Sequence, residues 1–239
     1  MTAPLLRVES VAKSYGGHRV LSAASLRAVP GELRVLFGRN GIGKSTLLKI
    51  AAGCVVPDGG TVHFRAHAYV NARLHTLASA GLFYLPDADL LSSAFTVRHQ
   101  LTLLQRQYGG AEIEEAAARV GIGARLDQRL DTLSGGERRR AELAAVLVRR
   151  PTCLLADEPY RGLAPLDAEV LTKVLRELAA GGAAVMVTGH EVPTLLDAAD
   201  HITWCTSGTT YELGPPAVAV QHEAFRHEYL GPWCAPRVR

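Results

Sequence analysis

Gly38-Arg39-Asn40-Gly41-Ile42-Gly43-Lys44-Ser45-Thr46 is the stretch on which the reading of this chain turns. It fits G-x-x-x-x-G-K-[ST], the pattern of a phosphate-binding loop. Upstream, Leu33-Arg34-Val35-Leu36-Phe37 reads as a short buried strand. Downstream, Leu47, Leu48, Ile50, Ala51 and Ala52 recur at helical spacing up to Gly53. Glycines at 38, 41 and 43 let the backbone approach phosphate with no Cβ in the way. The loop N–H groups and the helix N-terminus then face the anion. Lys44 supplies a point charge for the β- and γ-phosphates, and Ser45 a hydroxyl for Mg²⁺. An ordinary glycine turn before a helix needs none of these in combination. The stretch predicts a nucleoside triphosphate site.

The 239 residues suit one large domain or a core with an inserted subdomain. With 48% hydrophobic and 21% charged residues, the chain can bury a sizeable core, which excludes a disordered protein. A formal charge of +3 without a strongly basic run does not point to nucleic acid, and no such partner is expected. The densest basic cluster, Arg138, Arg139 and Arg140, opens a helix and reads as a solvated face or a partner contact. Cys54, Cys153, Cys205 and Cys234 form no C-x-x-C pair. Cys54 and Cys153 lie in apolar runs and read as small core residues, which fits a reducing cytoplasm. The start, Met1-Thr2-Ala3-Pro4-Leu5-Leu6-Arg7, has neither a basic n-region nor an apolar h-region, so no signal peptide is expected. No stretch approaches the roughly 20 apolar residues of a bilayer span, so any membrane role must come through a partner.

Along the chain, strands are expected at 5–9, 19–21, 26–29 and 61–64, a β-rich opening with an antiparallel edge. A weak helix covers 74–80, and a strand at 81–86 is stopped by Pro86. Residues 90–136 read as mostly helical, with Val97, Leu101 and Leu104 on one face and a further helix at 112–120. The continuous apolar runs 152–156 and 183–188 have the character of central parallel strands covered on both faces, joined by a helix at 166–180. The fold expected is α/β, with a mostly parallel central sheet, an antiparallel N-terminal β part and an inserted helical subdomain.

Two further stretches carry chemistry. Leu133-Ser134-Gly135-Gly136-Glu137 contains a capping box, S-x-x-E, for a helix through residue 148, and its glycine-flanked N-terminus is also an anion site. Cys153-Leu154-Leu155-Ala156-Asp157-Glu158 ends a strand in two carboxylates. Alone that is an acidic strand end at a turn; beside Lys44 and Ser45 it supplies a Mg²⁺ partner and a candidate base. His63 and His67 could share one side of a hairpin, but two ligands make no metal site.

These three stretches, in this order and at these separations, resemble the ATPase subunit of ATP-binding cassette transporters over nearly the whole chain. The resemblance implies a single P-loop NTPase domain over 1–239, with a RecA-like core at about 4–87 and 150–232 and a helical subdomain at about 88–149. It implies ATP and Mg²⁺ as ligands, ATP being bound by Tyr15, Gly38, Arg39, Asn40, Gly41, Gly43, Lys44, Ser45 and Thr46, with Tyr15 stacked on adenine. Asp157 and Ser45 match metal ligands, Glu158 the residue that polarises the attacking water, and His190 the switch histidine at the γ-phosphate, acting with Lys44. Ser134, Gly135, Gly136 and Glu137 match the signature that binds ATP held by the opposite subunit. A second ATPase subunit and a transmembrane permease are thereby implied as partners, an identical second subunit being the leading reading and a different cassette left open, with the chain cytoplasmic and peripheral at the inner face of the membrane.

Three positions depart from the family pattern. Asp87 stands where the family has glutamine; a carboxylate is a good hard ligand for Mg²⁺ but adds negative charge near the γ-phosphate. Ala164 replaces an aspartate, with Asp167 three residues on, and Gly189 separates Thr188 from His190. The tail, Phe225-Arg226-His227-Glu228-Tyr229-Leu230-Gly231, resembles subunits of the lipopolysaccharide-export and branched-chain amino-acid branches. Besides transport, the residues leave open a soluble cassette ATPase acting on nucleic acid or ribosomes, and a slowly hydrolysing ATP-gated clamp.

Overall fold

Two long antiparallel strands, β1 (Leu6–Tyr15) and β2 (His18–Ala28), begin the chain. The second is continuous, where the sequence suggests two short strands. Its middle, Ser22-Ala23-Ala24-Ser25, looks like a break only because small residues, Ser22 and Ala23, occupy the open face while Leu21 and Ala24 go inward. There follow β3 (Leu33–Phe37), α1 (Lys44–Ala51), the hairpin β4 (Gly59–Phe64) and β5 (His67–Tyr69), α2 (Leu74–Ser79) and β6 (Leu82–Leu85). The structure is a computed structural model and describes residues 3–87 and 90–231. Cys234 and the boundaries expected near 88 and 232 lie outside them.

The second half holds α3 (Val97–Tyr108), α4 (Ile113–Arg119), α5 (Gly135–Arg149), β7 (Cys153–Ala156), α6 (Pro165–Ala180), β8 (Ala184–Thr188), α7 (Val192–Ala198), β9 (His201–Thr206) and β10 (Thr209–Gly214). All strands join one sheet in the order β5-β4-β1-β2-β10-β9-β3-β8-β7-β6. From β9 to β6 every pairing is parallel, whereas β1, β2, β4 and β5 pair antiparallel. The β9–β10 hairpin, which the sequence does not announce, fills the seam between the two halves.

The continuous apolar runs have their physical explanation in two cores. Leu33, Val35, Phe37, Leu154, Ala156, Val185 and Val187 face one core, shared with α3 to α6. Leu36, Cys153, Leu155, Ala184 and Met186 face the other, shared with α1 and β1. Period-two alternation is therefore present, but both faces are apolar and the pattern reads as unbroken. Parallel order brings the C-terminal ends of β3, β8, β7 and β6 to one edge of the sheet, where crevices for ligands form.

Three smaller expectations need correction. Cys54 is exposed, because it follows the end of α1 in the turn at Gly53. His63 pairs with Ala68 and His67 with Phe64, so register puts the two histidines on opposite faces of the hairpin. The arginines opening α5 are not a free solvated face. Arg138 Nε donates to Leu133 O, Arg140 Nε to Asp167 Oδ1, and Arg139 is buried against Glu142.

That buried pair is well satisfied, since Glu142 Oε2 accepts from Arg139 Nη1 at 2.7 Å and Oε1 from the Leu90 N–H at 2.8 Å. Glu142→Ala leaves a buried guanidinium and a backbone donor unmatched. It is expected to lower unfolding free energy by about 3–5 kcal/mol in a urea titration, with Arg139→Met added in the same chain restoring much of the loss.

Candidate nucleotide site

The glycine loop leaves β3 and enters α1 in a shape that only small residues permit. A Cβ on Gly38 would lie 2.6 Å from Cys205 O, and one on Gly43, at φ +111°, would lie 2.7 Å from Leu21 Cδ2. Gly43 caps α1 without any side-chain hydrogen bond, so the first-turn N–H groups remain open to an anion. An open cleft of about 680 Å³ lies over them. Tyr15, Asn40, Gly41, Gly43, Lys44, Ser45, Thr46, Asp87, Glu158, Arg161 and His190 contribute to its walls. Gly38 and Arg39 are not among these. Arg39 turns away, its Nη2 donating to Glu228 O at 2.9 Å.

Asp157 sits beneath the cleft, 1% exposed. Its Oδ1 accepts from Ser45 Oγ at 3.0 Å and from Thr188 Oγ1 at 2.8 Å, and its Oδ2 from the Tyr84 hydroxyl at 3.2 Å. Burial, together with the negative charge of Asp157, pushes the Tyr84 phenol well above its ordinary value. Thr188 also accepts from the Glu158 N–H at 2.8 Å. Ser45 and Asp157 present hard oxygen donors side by side, a set that fits Mg²⁺. The sequence does not single out Tyr84 or Thr188 for this role; the signal available is a hydroxyl at the end of each strand flanking β7.

Glu158 adopts φ +48°, a left-handed conformation uncommon for a residue with a side chain. The turn aims its carboxylate back over the glycine loop. Glu158 Oε1 lies 2.8 Å from His190 Nε2 and 3.4 Å from Lys44 Nζ. Lys44 Nζ also donates to Gly38 O at 2.8 Å and Arg39 O at 3.2 Å, so the cation is fully engaged within the loop. At Gly189 a Cβ would meet Leu195 Cδ1 at 2.6 Å, so a side chain before His190 would require the buried Leu195 side chain to shift.

The C-terminal turns close the far side of the loop. Phe225 and Tyr229 stack with centroids 5.5 Å apart, and both pack on Phe37. The Tyr229 hydroxyl donates to Gly189 O at 3.4 Å, tying this segment to the histidine loop.

The other departures also take definite positions. Ala164 caps α6 with no side-chain hydrogen bond, and Asp167 is held by Arg140 under Gly136, where a Cβ would collide with its carboxylate. Asp167 is therefore committed to α5 and does not occupy the place of Ala164. Asp87 is ion-paired to Arg161. Ser134 and Glu137 form the expected reciprocal capping box at the start of α5. None of Ser134, Gly135, Gly136 and Glu137 lines the cleft formed by the chain's own loop.

Comparison with known proteins gives the family of the chain. The ABC transporter family model matches residues 21–161. The chain belongs to that family. The lipopolysaccharide export system ATP-binding protein LptB of Haemophilus influenzae is 31% identical over 95% of this chain and 97% of its own length. LptB of Escherichia coli is 30% identical over 95% and 97%. A solved ATP-binding cassette of an ABC transporter superimposes with a TM-score of 0.84 at 22% identity, covering 96% of this chain and 100% of that one. As a family member, the chain is an ATP-binding subunit that hydrolyses ATP with Mg²⁺ to power transport with a transmembrane partner. No helix among the described residues is long and apolar enough to cross a membrane.

The capping box makes a pH prediction. The N–H of Ser134, then its side chain, then Arg125 hold the Glu137 carboxyl down to about 2 from its ordinary 4.5. A carboxyl depressed on folding stabilises the fold above its unfolded value, and that contribution disappears as pH falls through the folded value. Glu137→Gln should therefore be less stable than the parent at pH 7. The difference in urea midpoint should shrink between about pH 4.5 and pH 2; a constant difference across that range would contradict the assignment.

Proposed function

We propose that this subunit hydrolyses ATP as one half of a pair of identical subunits, held at the cytoplasmic face of a membrane by its transmembrane partner. One observation carries the reading. Lys44, Ser45, Glu158 and His190 surround a single cleft, while the Ser134–Gly136 signature, on the same chain, lies outside it. A second copy in head-to-tail C₂ pairing would bring its signature to this cleft and receive the same in return. The helices α3 to α5 then act as the subdomain that carries the signature.

In this reading Tyr15, 48% exposed on the cleft wall, stacks on adenine, and the N–H groups of the loop residues that line the cleft, among them Gly41, Gly43, Lys44, Ser45 and Thr46, bind the phosphates. Lys44 exchanges its loop carbonyls and Glu158 for β- and γ-phosphate oxygens. Ser45 and Asp157 would hold Mg²⁺, which neutralises phosphate charge as it develops. Glu158 polarises the attacking water, and His190, 2.8 Å from it, orients that carboxylate and contacts the γ-phosphate. Binding of two triphosphates closes the pair, hydrolysis releases it, and the transmembrane partner converts the cycle into transport.

Glu158→Gln keeps the shape and removes the carboxylate. It is expected to lower ATP turnover by about 10²-fold or more while ATP now produces a stable dimer by light scattering; parent turnover in this variant would remove Glu158 from the mechanism. Lys44→Ala should weaken ATP binding about tenfold or more in equilibrium titration, and undiminished affinity would contradict the loop assignment.

A further inference from the structure

Asp87 and Arg161 are charged residues on the wall of one cleft, and the proposed reading of that cleft places a triphosphate beside them. Lys44 and Glu158 already offset each other there, with Nζ and Oε1 3.4 Å apart. Asp87 would then stand as an uncompensated negative charge facing an anionic ligand, were it not for Arg161, whose Nη1 donates to Asp87 Oδ2. The backbone sets up this pairing. Asp87 lies two residues past the end of β6, and Arg161 three residues past Glu158. The left-handed backbone at Glu158 reverses the chain, and the Arg161 N–H closes the turn on Glu158 O at 3.1 Å. That reversal returns the guanidinium across the cleft to the β6 loop. The two loops are thereby clasped at the edge of the phosphate site.

We propose that Arg161 is a positioning residue that neutralises Asp87 and holds it aside, so that the cleft accepts a triphosphate despite the added carboxylate. The inference rests on the cleft being the triphosphate site. It says further that Asp87 and Arg161 work as a pair. Arg161 has 68% of its side chain exposed and Asp87 34%, so the effect is modest and screened by salt.

The test is a thermodynamic cycle read by binding of a fluorescent ATP analogue in the presence of Mg²⁺ at low ionic strength. Arg161→Ala should weaken binding about two- to fivefold, as expected for one exposed charge pair. Arg161→Ala added to Asp87→Gln should change the affinity of that variant little, and Arg161→Lys should recover most of the loss. Raising the salt concentration should shrink the Arg161→Ala effect. An equal loss from Arg161→Ala with and without Asp87, or no loss at all, would overturn the pairing. Melting curves matching the parent exclude a folding defect as the source of a loss. Lys44→Ala measured alongside separates the two levels: full affinity in that variant rejects the cleft itself as the triphosphate site, whereas lost affinity leaves the cleft standing while the Arg161 results decide the pairing.

Discussion

The buried Asp157 carboxylate is the constraint on which the site depends. A carboxyl group with 1% exposure is tolerated only when its oxygens are matched. Here the matching groups are Ser45 from α1, Thr188 from β8 and Tyr84 from β6. Three neighbouring elements are thus locked to the end of β7 by a single side chain. The same hydrogen bonds keep the Ser45 hydroxyl beside a carboxylate oxygen, which is the arrangement a hard divalent ion uses. Structural need and ligand chemistry are served by one set of atoms, so the fold and the site share their stability.

Above that layer, the charges of the cleft are balanced against each other. Lys44 is satisfied by two loop carbonyls and Glu158, Glu158 also by His190, and Asp87 by Arg161. Nucleotide binding at such a site is an exchange of partners. Its free energy is set by how far the new bonds to phosphate outweigh the internal ones that must break. The left-handed backbone at Glu158 keeps both Glu158 and Arg161 in reach of this exchange.

Much of the fold is legible in the sequence because its central strands bury both faces. Residues 33–37, 153–156 and 184–188 are apolar enough to declare themselves, and the glycine loop and capping box are local patterns that need no tertiary information. The β9–β10 hairpin is hidden because β9 buries the polar Thr203 beside Trp204 and Cys205 while β10 leaves Tyr211 exposed, so side-chain type does not track burial along the strands. The conformation of Glu158 is illegible because only glycine announces a positive φ. The Asp87–Arg161 pair spans 74 residues and depends on that turn, so it cannot be read locally. The arginines at 138–140 mislead for a related reason: charge alone does not reveal that Glu142 and Asp167 await two of them.

The C-terminal clasp on the glycine loop has a consequence for how the protein is made. Arg39 reaches Glu228 across 189 residues, and β3 lies between β8 and β9, strands formed far later in the chain. The first motif to leave the ribosome is therefore among the last to acquire its surroundings. Until residues 184–206 have emerged, β3 lacks its full set of strand neighbours and has unpaired hydrogen-bonding edges. Long-range pairing of this kind makes folding slow and exposes nascent chains to misassociation. A growing chain of this sequence cannot assemble a competent phosphate site early, which confines nucleotide capture to subunits whose sheet is already closed.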